Sequence, residues 1–160
     1  MARVTKIICA DQPYKYTLVH KCFLKVVRNS PTEMTILAEL IEPQPVALFR
    51  FDVYYKLTSY QKFSSFDFDV DLCKYYKDGM RSDNFIVNYT LGNLLEELPS
   101  FKCPLSGNFS INRYVAGRLT YPSIFPDGEY RFDLLTRRPD NVTLFYLQYF
   151  ATWRNKMFIR

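Results

Sequence analysis

Hydrophobic and polar residues alternate along much of this chain with the period of a β-strand. The clearest case is segment 45–57, whose odd positions from 47 onward are apolar and whose even positions include three charged residues. Segment 63–72 repeats the alternation, with apolar residues at positions 66, 68, 70 and 72 and aspartates at positions 67, 69 and 71. Because successive side chains of a strand point to opposite faces, both segments predict strands with one buried face.

Six further segments have the composition or alternation of strands, and turn-forming residues separate them. They are 3–9, 21–28, 33–42, 107–115, 129–135 and 142–153. Between Cys73 and Cys103, Ser82 and Asp83 can begin a helix whose apolar residues recur with helical spacing until Pro99 ends it. Short strands, one helix and no βαβ alternation predict a mainly β protein, an antiparallel sandwich of about seven or eight strands.

Length, apolar content and charge narrow the class of protein. The 160 residues, of which 48% are hydrophobic, predict a single domain over 1–160 with its own core. The net charge of +5 comes from basic residues scattered in short groups, which is not the concentrated pattern of a nucleic-acid binder. No apolar run approaches the roughly 20 residues of a membrane span, so we predict no transmembrane segment.

Cysteines and glycosylation sequons indicate an oxidising compartment. The four cysteines are Cys9, Cys22, Cys73 and Cys103, and they allow three disulfide connectivities. None forms a C-x-x-C pair, which argues against zinc and thioredoxin chemistry. Sequons occur at Asn88, Asn108 and Asn141. We therefore expect a secreted, extracellular glycoprotein, and we interpret the chain as a mature form whose leader has been removed.

Few residues of this chain could carry catalysis. His20 is the only histidine, and the sequence contains no nucleophile, zinc-protease or phosphate-binding motif. The aspartates of segment 63–72 could bind calcium or form an acid–base pair, but strand parity places them opposite the apolar face. We therefore expect a non-enzymatic protein without cofactor or metal. A hydrolase, or a lipid-presenting activator of one, would need two of these carboxylates to face the interior.

Three short motifs follow one another in a specific order. They are DVDLC at 69–73, CPLSG at 103–107 and PDGEY at 126–130. Together with the paired N-terminal cysteines, they resemble a divergent insect branch of the ML superfamily, the myeloid-differentiation-related lipid-recognition proteins, which includes fly CheB-type proteins linked to contact chemosensation. The resemblance covers almost the whole chain. The chain differs from better-known lipid carriers in having no cysteine in its final strand and a longer segment between its two central cysteines.

This resemblance implies an immunoglobulin-like β-sandwich with a hydrophobic pocket between its two sheets. It implies secretion and binding of a lipid, sterol, fatty acid or hydrocarbon pheromone, with a membrane receptor or channel as a further partner. It also implies the disulfides Cys9–Cys22 and Cys73–Cys103, each pair of which flanks strand ends. The predicted pocket-lining residues are Phe49, Phe51, Val53, Tyr55, Phe66, Phe68, Val70, Ile111, Phe132 and Leu134.

Loop 121–128 is a candidate for the entrance to such a pocket. Ile124 and Phe125 lie between Pro122 and Pro126 and have no alternating partner strand. Two prolines fix the shape of the loop, so this apolar pair is held at one end of the sandwich. Ile124 and Phe125 could border the mouth of the pocket, and we then count both among the predicted ligand-binding residues. Alternatively, both side chains could fold back and pack on the core.

The same apolar strand faces also fit a solid core. Without the resemblance, a closely packed interior is the simpler interpretation of aromatic residues on two strand faces. The protein would then be an extracellular recognition module, such as a receptor or adhesion domain. A cavity between the sheets would favour ligand binding, and a close-packed interior would favour the recognition module.

Overall fold

A computed structural model of the chain describes residues 2–65, 69–79, 81, 88, 103–114 and 126–154. Within these ranges the chain forms nine strands and one short helix with defined bounds. The elements are β1 (Ala2–Cys9), β2 (Thr17–Lys25), β3 (Glu33–Gln44), β4 (Leu48–Lys56), β5 (Tyr60–Ser65), β6 (Val70–Asp71), α1 (Leu72–Lys77), β7 (Leu105–Tyr114), β8 (Gly128–Arg137) and β9 (Thr143–Trp153).

The strands form two antiparallel sheets. The larger sheet has the order β1-β9-β8-β4-β5, with β6 also paired to β4, and the smaller sheet has the order β2-β3-β7. Buried residues from both sheets meet in one core, as in a β-sandwich. The structure therefore confirms the predicted antiparallel sandwich, with nine described strands where about seven or eight were predicted.

The predicted strand over 63–72 accounts for part of that difference. Its residues contribute to β5 and to β6, and both strands pair with the same edge of β4. Asp52 is paired with Ser65, and Phe49 is paired with Val70. Phe66 and Phe68 lie outside the described residues. The alternation predicted strand structure in this segment, but not its division into two strands or the end of β6.

Strand β6 ends at Asp71, and the chain continues directly into α1. The Asp71 side chain accepts a hydrogen bond from the backbone N–H of Cys73 at 3.1 Å and caps α1. Such a cap satisfies a free amide of the first turn, so it favours a helix over another strand residue. Cys73 therefore lies in the first turn of α1. The helix predicted from Ser82 lies outside the described residues except for Asn88, which is helical.

Strand β2 begins and ends earlier than predicted. The sequence predicted 21–28, whereas the pairing with β3 runs from Thr17, opposite Leu40, to Lys25, opposite Glu33. Val26 and Val27 follow the strand and are exposed. Their β-branched side chains favour a strand locally, but they have no partner on β3, so composition alone misplaced the boundary.

Buried side chains form two clusters between the sheets. The first consists of Val4, Cys9, Met34, Ile36, Val53, Tyr130, Phe132, Leu147, Tyr149 and Ala151. The second consists of Ala47, Phe49, Leu72, Tyr75 and Leu144. The first cluster joins the two sheets directly, and the second packs α1 against β4 and β9.

Two disulfides close the two open sides of the sandwich. Cys9–Cys22 joins β1 to β2, the edge strands on one side. Cys73–Cys103 joins α1, which follows edge strand β6, to the residues that lead into edge strand β7. The structure confirms both predicted pairs, and together they hold the sheets to each other on both sides.

Candidate ligand-binding interior

A group of inward-facing apolar residues lies between the two buried clusters. Phe51 on β4 is directly opposite Leu134 on β8, and Ile111 approaches them from β7 of the smaller sheet. Each of the three packs against both clusters. We call Phe51, Ile111 and Leu134 the middle layer.

The middle layer is less completely buried than the residues on either side of it. Along the inward face of β4, Phe49 is 6% exposed and Val53 is 1% exposed, whereas Phe51 between them is only partly buried. On β8, Phe132 is 2% exposed and the next inward residue, Leu134, is again only partly buried. The middle-layer side chains therefore keep accessible surface that their fully buried neighbours on the same strand faces lack.

Aromatic rings pack on the same two clusters as the middle layer. Phe51 stacks on Phe132 with ring centroids 5.9 Å apart. Phe109 of the smaller sheet meets Phe145 of the larger sheet with centroids 6.4 Å apart, and both are partly buried. The surroundings of the middle layer are therefore hydrocarbon and aromatic, which suits apolar ligands.

The structure separates the predicted pocket residues into groups. Phe51, Ile111 and Leu134 form the middle layer, while Val53 and Phe132 belong to the first cluster and Phe49 to the second. Val70 packs on the second cluster. Tyr55 lies towards the other end of β4, where its ring contacts Tyr130 at 5.1 Å between centroids. The predictions for Phe66, Phe68, Ile124 and Phe125 lie outside the described residues.

Tyr75 on α1 is a site residue that the sequence did not point to. Its side chain belongs to the second cluster and is 4% exposed. Its hydroxyl has no hydrogen-bond partner among the residues that the structure describes. Burial raises the pKa of this hydroxyl above its ordinary value. Leu72 and Tyr75 are three residues apart on one helix face, but a six-residue helix is too short for that spacing to stand out.

A match to a family of proteins covers this part of the molecule. A family described as "Protein of unknown function (DUF1091)" matches residues 49–132, which is more than half of the chain. The chain belongs to the DUF1091 family. No curated protein matches the chain significantly. The DUF1091 region runs from the start of β4 into β8 and includes α1, the Cys73–Cys103 disulfide and two of the three middle-layer residues, Phe51 and Ile111.

The outward face of β8 and β9 carries a polar network instead. Asp133 is 5% exposed and accepts hydrogen bonds from Arg131 at 3.0 and 3.2 Å and from the Tyr146 hydroxyl at 2.9 Å. Burial, followed by the hydrogen bond with Asp133, raises the pKa of Tyr146 to about 12. The donors and acceptors of this network pair with one another, so we infer that the network stabilises the fold.

The predicted acidic face agrees with strand parity where the structure describes it. Asp69 pairs with Arg137 on the exterior, and Asp71 caps α1. Asp67 lies outside the described residues. His20 is exposed and lies 3.4 Å from Glu39. No group of three or more histidine, cysteine, aspartate or glutamate side chains in the described ranges could hold a metal ion.

The three sequon asparagines are all exposed. Asn108 lies on edge strand β7, and Asn141 lies in the turn before β9, where its side-chain oxygen accepts a hydrogen bond of 2.6 Å from Arg137. Two disulfides are compatible with an extracellular DUF1091 protein. Within the described part of the chain, no helix has the length and apolarity that a membrane crossing requires.

Proposed function

We propose that this DUF1091 protein is a secreted, non-enzymatic binding protein for a small apolar ligand held between its two sheets. The observation that carries the proposal is the partial exposure of the middle layer. Phe51, Ile111 and Leu134 point between the sheets and still keep accessible surface, although buried clusters flank them on both sides. An apolar interior with accessible surface is the feature that ligand-binding sandwiches require.

The positions of the two disulfides support this proposal. Disulfides join the sheets at both of their open sides, so the separation of the sheets does not depend on a closely packed middle. A sandwich without such bridges would collapse more readily onto an unfilled interior, because cavities cost stability. Here two covalent links could maintain space for a ligand.

Family membership supports the same proposal from sequence. The DUF1091 family is associated with ML-like insect proteins. By the ML resemblance, the ligand is a lipid, sterol, fatty acid or hydrocarbon pheromone, and a role in chemosensation with a membrane receptor or channel as partner follows. The two disulfides and the exposed sequon asparagines support secretion.

One observation favours a second candidate, an extracellular protein-recognition module. On the smaller sheet, Leu18, Phe23 and Ile41 are 48%, 47% and 54% exposed. Exposed apolar side chains grouped on one sheet are typical of protein-binding surfaces. This alternative predicts a solid core, whereas the ligand-binding proposal predicts room at the middle layer.

Two tryptophan variants on adjacent residues of β8 distinguish the candidates. Leu134→Trp should fill the space at the middle layer and abolish uptake of a fluorescent fatty acid while the protein remains folded. Leu135→Trp is the matched control, because Leu135 has the opposite strand parity and lies opposite Arg50 and Tyr146. It should leave uptake unchanged.

The result expected from a solid core is different. Overpacking a filled interior costs about 1–3 kcal/mol. If the wild-type protein takes up no fatty acid and Leu134→Trp lowers stability to this extent, the ligand-binding proposal is wrong and the recognition module is favoured.

A further inference from the structure

The hydroxyl of Tyr75 is the one buried tyrosine hydroxyl among the described residues that has no hydrogen-bond partner. Other tyrosines show how this fold normally treats such a group. The Tyr130 hydroxyl donates to the carbonyl oxygen of Pro126 at 2.5 Å, and the Tyr14 hydroxyl donates to that of Ala10. A buried hydroxyl without a partner is unfavourable, and phenylalanine would fill the same volume without that cost.

Tyr75 and the middle layer pack on the same buried cluster. Its ring belongs to the second cluster, and Phe51, Ile111 and Leu134 all pack on that cluster. Thr17 lies at the same end of the sandwich, opposite Leu40, which also packs on the second cluster. The Thr17 hydroxyl is likewise buried and has no hydrogen-bond partner in the described ranges.

The local structure holds Tyr75 firmly. Cys73, two residues earlier on α1, is bonded to Cys103, and Asp71 caps the same short helix. A hydrogen-bonding group fixed by covalent and packing constraints loses little freedom when it meets a ligand. A tyrosine hydroxyl is protonated at neutral pH, and burial raises the pKa of Tyr75 further, so the group can donate a hydrogen bond to a ligand.

We propose that the Tyr75 hydroxyl binds the polar end of the ligand, and that the ligand is therefore amphipathic. The assignment rests on the proposed function of the interior. It deepens that function by naming a chemical class: a long apolar body that ends in one oxygen-bearing group, such as an alcohol, a carboxylic acid or a sterol hydroxyl. A hydrocarbon without oxygen would leave Tyr75 unpaired and would bind less tightly.

A matched pair of probes tests this assignment. Hexadecanol and hexadecane share one chain and differ by one hydroxyl, and each competes with a fluorescent fatty acid for wild-type protein, Tyr75→Phe and Tyr76→Phe. Tyr76 is the exposed neighbour on α1 and serves as the control. We expect Tyr75→Phe to weaken hexadecanol binding by roughly 3- to 10-fold, the size of one net hydrogen bond, and to leave hexadecane binding unchanged.

The stability of the ligand-free variants separates a binding role from a structural one. Tyr75→Phe removes an unpaired buried hydroxyl, so its melting temperature should equal or exceed that of the wild type. Equal weakening of both probes, or no change in either, overturns the assignment of Tyr75 while the proposed function stands. A wild-type protein that binds no apolar probe overturns the proposed function and this assignment with it.

Discussion

The ring of Tyr55 lies so close to Gly128 that a β-carbon on residue 128 would be 2.6 Å from Cε2 of the tyrosine. The Tyr55 hydroxyl also donates a hydrogen bond of 3.0 Å to the backbone oxygen of Asp127. Together these contacts fasten the start of β8 to the end of β4. The contact with the ring explains why the PDGEY motif has glycine at position 128, because any side chain there would displace the ring.

Gly128→Ala should therefore be strongly destabilising. We expect a loss of about 3 kcal/mol, from overpacking against Tyr55 and from a backbone φ of 154° that favours glycine. Chemical denaturation measures the change. Gly107→Ala is the control, since its φ of 72° carries strain but no atom lies within 4 Å of the added carbon. If both variants lose the same amount, the contact with Tyr55 contributes nothing.

Removal of the disulfides should destabilise the sandwich in a defined order. The Cys73–Cys103 link has a sequence separation of 30 and the Cys9–Cys22 link one of 13. Replacing each pair by alanine should cost about 4 and about 3 kcal/mol respectively, because a longer loop gains more entropy in the unfolded chain. Guanidinium denaturation of the two double variants tests this. A loss below about 1 kcal/mol in either variant would contradict the role of that link.

The buried carboxylate on the outer face should matter far more than a surface one. Asp133 is nearly inaccessible, and its loss would leave Arg131 and Tyr146 without their partner, so Asp133→Ala should cost about 3 kcal/mol or more. Asp140→Ala removes an exposed partner of Arg138 and should cost less than about 1 kcal/mol. Thermal melts of both variants give the comparison, and equal losses would show that burial of Asp133 adds nothing.

Two tyrosines should make the fold sensitive to strong alkali. Burial raises the pKa of Tyr130 and of Tyr146 to about 12, from an ordinary value of 10. Because the folded state holds these protons more tightly than the unfolded state, their stabilisation is complete below pH 10 and is lost as pH rises towards 12. For Tyr130, which is 1% exposed, the loss is on the order of 2 kcal/mol.

Ultraviolet titration of tyrosinate checks that prediction. Folded protein should show a late ionisation step that coincides with unfolding, and Tyr146→Phe should reduce it. Titration of every tyrosine near the ordinary value in the folded protein, with no loss of structure, would contradict it.

The alternation of apolar and polar residues predicted the long strands well where one face of the strand is exposed to solvent. Segment 45–57 contains β4, with Phe49 and Val53 facing the core and Arg50 and Asp52 facing outward. A half-buried strand is easy to predict because its apolar and polar residues alternate with a period of two. Helix α1 was missed, because its cap at Asp71 continues the alternation of the strand before it. Six residues give no helical period to detect.

The disulfides and the site show what pattern alone cannot supply. Four cysteines allow three connectivities, and the family resemblance, together with the position of each pair beside strand ends, selected the pairs that the structure confirms. Parity placed Phe51 and Leu134 inside but could not distinguish them from the buried Val53, because burial depends on the facing sheet. Tyr75 depends on a tertiary contact of α1 with the second cluster, which no local spacing encodes.

The central claim is that the middle layer holds a small apolar ligand, and native mass spectrometry of protein secreted from cultured insect cells tests it most directly. We predict a population of wild-type protein that carries one apolar compound, recovered by organic extraction. The same species should persist in Leu135→Trp and disappear in Leu134→Trp, although both variants remain folded. Wild-type protein that carries no compound and takes up none when fatty acids, sterols and hydrocarbons are offered would contradict the account.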